Sequence, residues 1–258
     1  MNGIRSDNTY EEDYTVPSYM TDRSFHLRPS SFMDMAQEIA HSAASHFHFG
    51  WDDLQLHHTA WVISRMHFKF IRPPKWRDEV ALFTWHKCID GPFYIRDFEL
   101  RPQGDLNFEE IGGALITCTS SWIVMNMHTR TFARDEEIMR MVPESTQCHR
   151  DAIGEHCKKV VPPKDAERFA SHKIMYSDVD FLGHTNNARY IAWSMDGIGY
   201  EITSEHQVKD VRINFNKETK PGDEVELFRS HIKTEGQDTW FIEGKLDGKS
   251  CFCTQIDF

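Results

Sequence analysis

A chain of 258 residues can hold one large domain or two of ordinary size, and either could bury a substantial core. Its composition, 40% hydrophobic and 27% charged, is that of a globular protein, and a formal net charge of -11 excludes a general nucleic-acid binder without excluding a local basic patch. No apolar run nears the roughly 20 residues of a membrane span, and the N-terminus lacks the order of a signal peptide, so a cytoplasmic protein without a membrane span is expected.

Residues 1 to about 13 are acidic and poor in apolar groups, which predicts disorder, with order beginning in the segment Tyr14 to Leu27. After Arg28-Pro29, Ser30 or Ser31 can cap a helix whose Phe32, Met35, Ala36, Ile39, Ala40, Ala43, Ala44 and Phe47 make one apolar stripe. From Trp61 to Ile71, Val62, Met66, Phe68 and Phe70 alternate with Arg65, His67 and Lys69, the period of a half-buried strand. Three more strands are expected at Val80 to Trp85, Phe93 to Leu100 and Gly113 to Asn126, separated by turn-forming residues. One helix followed by antiparallel strands is an α+β unit.

From Thr129 to Lys164 the pattern loosens, and a linker with one or two short helices is expected. The order then repeats: a strand leading to Tyr176, a turn, a helix over Ala188 to Ile202, and strands near 207–216, 224–233, 238–246 and 250–257. The repeat is also visible in letters. D-E-V-A-L-F at Asp78 returns as D-E-V-E-L-F at Asp223, an offset of 145 residues (223 − 78) that also carries Phe70 onto Phe215. The chain therefore divides into 14–128, a linker 129–165, and 166–258.

The six scattered cysteines read as reduced thiols. The histidines at 41, 46, 48, 57 and 58 lack the spacing of paired ligands on a helix face and have no carboxylate or cysteine cluster beside them, so no metal is expected.

Chemistry concentrates in Y-S-D-V-D-F-L-G-H-T-N-N-A-R-Y, Tyr176 to Tyr190. Asp180 and His184 stand four apart across a turn, Gly183 allows close backbone approach, and Asn186 or Asn187 can cap the following helix. The unpaired amides and dipole at that helix start suit a developing oxyanion. An isolated D-x-x-x-H is more often a capped loop than a site.

The longer pattern D-x-D-x-x-G-H-x-N-N-x-x-Y resembles the active turn of hotdog-fold thioesterases. Together with W-V-I-S-R-M at Trp61 to Met66, P-K-W-R-D-E-V at Pro74 to Val80, Thr84-Trp85, and W-I-V-M-N-M-H-T-R at Trp122 to Arg130, the chain resembles the acyl-acyl carrier protein (acyl-ACP) thioesterases of plants and bacteria. That resemblance implies a tandem hotdog, each half a long helix wrapped by an antiparallel sheet. It also implies catalytic roles for Asp180, His184 and Glu218, the last 34 residues after His184 (218 − 184). Leu182 and Thr219 depart from the family, standing where plant members have an asparagine and a cysteine. Water is then the expected attacker, with Glu218 or Asp180 as its base, since Thr219 without an adjacent base is a poor nucleophile.

The first half, with Phe25-His26-Leu27-Arg28-Pro29 before its helix, has no acid-glycine-histidine set, and the resemblance implies that it shapes an acyl tunnel instead, with Phe32, Met35, Trp61, Met66 and Phe68 as candidate lining. The resemblance implies hydrolysis of acyl-ACP to a free fatty acid, with no cofactor beyond the substrate's own phosphopantetheine arm, in a monomer or homodimer. An acidic carrier protein would call for a basic face, for which Arg72, Lys75 and Arg77, or Lys158, Lys159 and Lys164, are candidates. The rivals are an acyl-CoA thioesterase, a catalytically silent acyl-binding hotdog and, less favoured, a hotdog dehydratase.

Overall fold

The computed structural model describes residues 3–108, 113–133 and 141–258. In chain order it contains β1 (Gly3–Ile4), β2 (Tyr10–Thr15), α1 (Pro29–His46), α2 (Trp51–Gln55), β3 (Thr59–Phe70), β4 (Glu79–Asp90), β5 (Phe93–Pro102) and β6 (Ile116–Asn126). The second half adds β7 (Glu167–Lys173), α3 (Asn187–Ile198), α4 (Tyr200–Glu205), β8 (Asp210–Phe215), β9 (Glu224–Thr234), β10 (Gln237–Leu246) and β11 (Lys249–Asp257). The strands join in one antiparallel sheet of order β1-β2-β4-β5-β6-β3-β8-β11-β10-β9-β7. This is the tandem hotdog, α+β, with its halves joined where β3 pairs β8 from Arg65 opposite Asn214 to Lys69 opposite Asp210.

The apolar stripe of α1 is buried along its length, from Phe32 through Met35, Ala36, Ile39 and Ala40 to Ala43 and Ala44. It packs against α3, and both helices share one core with the inward residues of the sheet. The helix starts earlier than expected, because Pro29 at its first position has φ preset for the helix and needs no N–H bond, so neither serine caps it. The helix expected over 188–202 breaks at Gly199, whose φ of 102° ends α3 and starts α4.

The letter repeat is a structural repeat. β3 ends at Phe70 and β8 at Phe215, while β4 starts at Glu79 and β9 at Glu224, both pairs 145 apart. Between them the same turn is made twice: Asp78 Oδ2 accepts from the Lys75 N–H at 2.7 Å, and Asp223 Oδ2 accepts from the Lys220 N–H at 3.0 Å.

Two expectations need correction. The N-terminal segment is ordered from Gly3, because β2 pairs with β4 and β1 with β2, and Arg5 pairs with Glu11 at 2.8 Å. Within 129–165, the described residues 148–160 lie against the outer face of the sheet. Trp85 Nε1 donates to Arg150 O at 2.9 Å, and the Asn214 amide exchanges two bonds with Val160. That cover buries the sheet's second face, including His67, which was expected on a solvated side but bonds Asp210 at 2.7 Å. The stretch 134–140 of the expected linker lies outside the described residues.

Candidate active site

The turn before α3 is built by Asp180. Its Oδ1 accepts from the Leu182 N–H at 2.9 Å and, more weakly, from the His184 N–H at 3.4 Å, while its own N–H donates to His184 O. Gly183 closes the turn at φ 79°, a left-handed value that glycine reaches without strain. Asn186 then caps the helix, accepting from the Ala188 N–H at 2.8 Å. The Asn187 side chain is held from the other helix, donating to Gln37 Oε1 at 2.8 Å. Of the amides from Thr185 to Arg189, only the Asn187 N–H has no partner among the described residues. It is the free donor at the positive end of α3.

Glu218 reaches this turn from the loop after β8. Its Oε1 lies 3.4 Å from His184 Nε2, the separation of an ion pair rather than of a well-made hydrogen bond. Its Oε2 lies 2.5 Å from Arg130 Nη2, an ion pair between half-exposed side chains. Arg130 comes from the first half, on a turn organised by Asn126, whose Oδ1 accepts from the His128 and Thr129 N–H groups. Its place in W-I-V-M-N-M-H-T-R was visible in the sequence, but nothing there said that this turn reaches across to the second half.

Thr219 points the other way. It is fully buried, and its hydroxyl lies 2.6 Å from Thr185 Oγ1 and 2.9 Å from the Tyr190 hydroxyl. Burial pushes the Tyr190 phenol up to about 12, so it is neutral and provides no base for Thr219.

Asp180, His184 and Glu218 all line a cavity of about 1300 Å³ that runs between α1 and the sheet. Leu182, Asn186 and Asn187 line it too, and Trp51 of α2 meets Phe181 edge-to-face at 5.5 Å on its rim. Of the five expected tunnel residues, Met35 and Trp61 line the cavity, joined by Ala40, Ala44, Phe49, Tyr94 and Trp122. Phe32, Met66 and Phe68 do not; they are fully buried in the shared core, with Phe32 edge-on to Phe68 at 5.7 Å. A bulge between Ile63 and Arg65 shifts the inward parity of β3, which alternation alone does not reveal. The cavity wall includes the basic side chains Arg96, Arg130 and Lys217, a set separate from the six considered for a carrier-binding face.

The first half contains a counterpart of the Asp180–His184 turn. Asp22 and His26 stand 158 residues before Asp180 and His184 (180 − 22, 184 − 26). Asp22 Oδ1 accepts from the Ser24 and His26 N–H groups at 2.8 and 3.0 Å, and its N–H donates to His26 O, bond for bond as around Asp180. Phe25 takes the left-handed position of Gly183, at φ 67°. Leu27 donates to Pro74 O as Thr185 donates to Thr219 O, both at 2.8 Å. Two elements are missing: Pro29 replaces the free amide of Asn187, and Pro73, 145 residues before Glu218 (218 − 73), replaces its carboxylate.

Residues 7–142 match the Acyl-ACP thioesterase N-terminal domain and residues 162–256 the Acyl-ACP thioesterase C-terminal domain. Among curated proteins, the chain is 26% identical to oleoyl-acyl carrier protein thioesterase 2, chloroplastic, of Arabidopsis thaliana, over 84% of this chain and 62% of that protein. It is 25% identical to oleoyl-acyl carrier protein thioesterase 1, chloroplastic, of the same plant, over 93% of this chain and 70% of that protein. Solved structures that share the fold include an acyl-ACP thioesterase from Bacteroides thetaiotaomicron (TM-score 0.85, 20% identity, 98% of this chain and 100% of that one) and the 12:0-ACP thioesterase from Umbellularia californica (TM-score 0.86, 19% identity, 98% of each). With both halves matched in order across the repeat, the chain belongs to the acyl-ACP thioesterase family.

Proposed function

We propose that this protein hydrolyses the thioester of a medium- or long-chain acyl-ACP, releasing a free fatty acid and the carrier's thiol. The observation that carries this reading is the convergence of Asp180, His184, Glu218 and Asn187, whose N–H has no partner among the described residues, on the wall of one large, mostly apolar cavity. Apolar burial of the acyl chain is worth about 0.8 kcal/mol per methylene, so such a cavity holds a long chain with its thioester at the polar end.

In this mechanism water attacks the thioester carbonyl and Glu218 accepts its proton. Glu218 suits the task because it borders the cavity with His184 beside it, whereas one Asp180 oxygen is committed to two backbone amides. Asp180 thus positions the turn that presents His184. The Asn187 N–H stabilises the oxyanion of the tetrahedral intermediate. The C–S bond then breaks, and the proton held by Glu218 returns to the departing thiolate, a good leaving group. Burial of Thr219 away from the cavity argues against a covalent acyl-enzyme.

Thiol release from palmitoyl-ACP and palmitoyl-CoA, measured side by side, tests the reading. Faster release from the carrier protein, weakening as salt is raised, is expected. Equal or better use of CoA would make the protein an acyl-CoA thioesterase, and no release across a panel of chain lengths, with acyl chains still bound, would make it a silent binding protein.

A further inference from the structure

The cavity wall is not apolar throughout. On the sheet face turned toward α1, β4 and β5 contribute His86 and Arg96 beside Tyr94 and Trp122. Arg96 is only 7% exposed, yet its one side-chain bond among the described residues is to a neutral oxygen, Thr84 Oγ1, at 3.2 Å. Its neighbours in sequence do not neutralise it. Asp97 lies 3.5 Å from Lys87 and accepts from the Ala152 N–H, while Glu99 bonds Arg101 at 2.8 Å, both on the opposite face of the strand. Burial draws the Arg96 guanidinium down to about 10, so it still carries its charge at neutral pH.

His86 adds a second polar group with spare capacity. Its Nε2 lies 3.1 Å from Cys88 O and so carries the proton, leaving a buried Nδ1 without a partner among the described residues. Burial, with Arg96 nearby, draws this imidazole down to about 3, so it is neutral and no rival cation. A charged donor and a neutral acceptor thus sit together on the wall of a space otherwise suited to hydrocarbon. A buried charge without a counter-charge is costly, and an oxygen on the ligand would relieve that cost.

We propose that Arg96, with His86 beside it, forms a subsite for an oxygen function carried on the distal part of the acyl chain, a hydroxyl or a carboxylate. The position follows from the sheet order. β5 is separated from β8, which leads to Glu218, by β6 and β3, three strand spacings or about 14 Å. A hydroxyl next to the thioester does not span that distance, whereas one near the far end of a long chain does. Arg96 therefore sets specificity for the chain's remote end and takes no part in the thioester chemistry. The inference rests on the proposed thioesterase reading for its substrate but not for the existence of the subsite.

The test compares the unmodified protein on ACP thioesters of hexadecanoate, its β-hydroxy and ω-hydroxy derivatives, and the ω-carboxy derivative. The ω-hydroxy or the ω-carboxy chain is expected to exceed plain hexadecanoate in kcat/KM on the order of tenfold, as a hydrogen bond to a charged group predicts. Preference for one over the other identifies which oxygen function the subsite takes. Arg96→Met should abolish the preference, bringing kcat/KM for both ω-derivatives to or below that for plain hexadecanoate, and Arg96→Lys, which keeps the charge, should retain part of it should the methionine variant fail to fold. Preference for the plain chain over both ω-derivatives, or for the β-hydroxy chain alone, would overturn the proposal and leave Arg96 solvated by water in the cavity. If no thioester turns over, the hydrolase reading fails, and calorimetric binding decides the subsite alone. Tighter binding of free ω-hydroxyhexadecanoate or hexadecanedioate than of hexadecanoate supports it, and equal or weaker binding of both overturns it.

Discussion

Pro29 stands in the first half where Asn187 stands in the second, each at the first position of its helix after a turn with the same hydrogen bonds. A proline has no N–H, so the first half cannot offer the amide that Asn187 leaves free. Two nearly identical turns therefore have different capacities, and in the proposed mechanism only the second supports chemistry. Asp22→Asn and His26→Ala are expected to leave kcat within about twofold of the unmodified protein, with any effect appearing as a lower melting temperature. A loss of turnover comparable to that from Asp180→Asn would contradict this division of labour.

Arg130 links the two halves at the proposed site. Its pair with Glu218 is between half-exposed side chains, so it contributes little to stability, about 0–1 kcal/mol. Its expected contribution is to hold the Glu218 carboxylate in place. Arg130→Met should lower kcat about tenfold with the melting temperature nearly unchanged, and Arg130→Lys should recover part of the loss. Unchanged kcat in the methionine variant would remove Arg130 from the account.

Thr219 offers a test of water as the attacker. Thr219→Val would strand the buried hydroxyls of Thr185 and Tyr190, at a cost of about 1–3 kcal/mol of stability. Turnover per folded molecule should change only a few-fold, and Thr219→Ser should restore the stability. A covalent acyl adduct trapped on Thr219 and seen by mass spectrometry would contradict the mechanism.

The core and the tunnel wall are separable. Phe68→Ala removes a fully buried ring from the shared core and should cost about 3–5 kcal/mol without moving the chain-length preference. Ala40→Leu, on the α1 wall of the cavity, should instead shift kcat/KM toward shorter chains. A chain-length shift from the first variant and none from the second would reverse the assignment.

Periodicity and turn chemistry made the strands, α1 and the repeat legible, because each unit's burial pattern is local. What escaped was set by distant contacts. The N-terminal segment reads as polar because β1 and β2 lie at one margin of the sheet, where the order of β2 comes from pairing with β4. The covering of the sheet by 148–160 depends on bonds such as Trp85 to Arg150, which leave no mark in spacing. The family pattern pointed to Asp180, His184 and Glu218, and the fold brings all three to the wall of one cavity. Arg130 was not legible because its turn reaches across the halves, and Asp22 was not legible because Phe25 stands in its turn where a glycine marks the second one, adopting the same left-handed backbone.

The central claim is that Glu218 activates water, and kcat on acyl-ACP for Glu218→Gln measured beside Asp180→Asn tests it most directly. The account predicts a fall on the order of 10²–10⁴ for Glu218→Gln with an unchanged melting temperature, since its side chain is 44% exposed. A Glu218→Gln protein turning over at nearly the unmodified rate, with Asp180→Asn inactive but folded, would contradict it and transfer the base to Asp180.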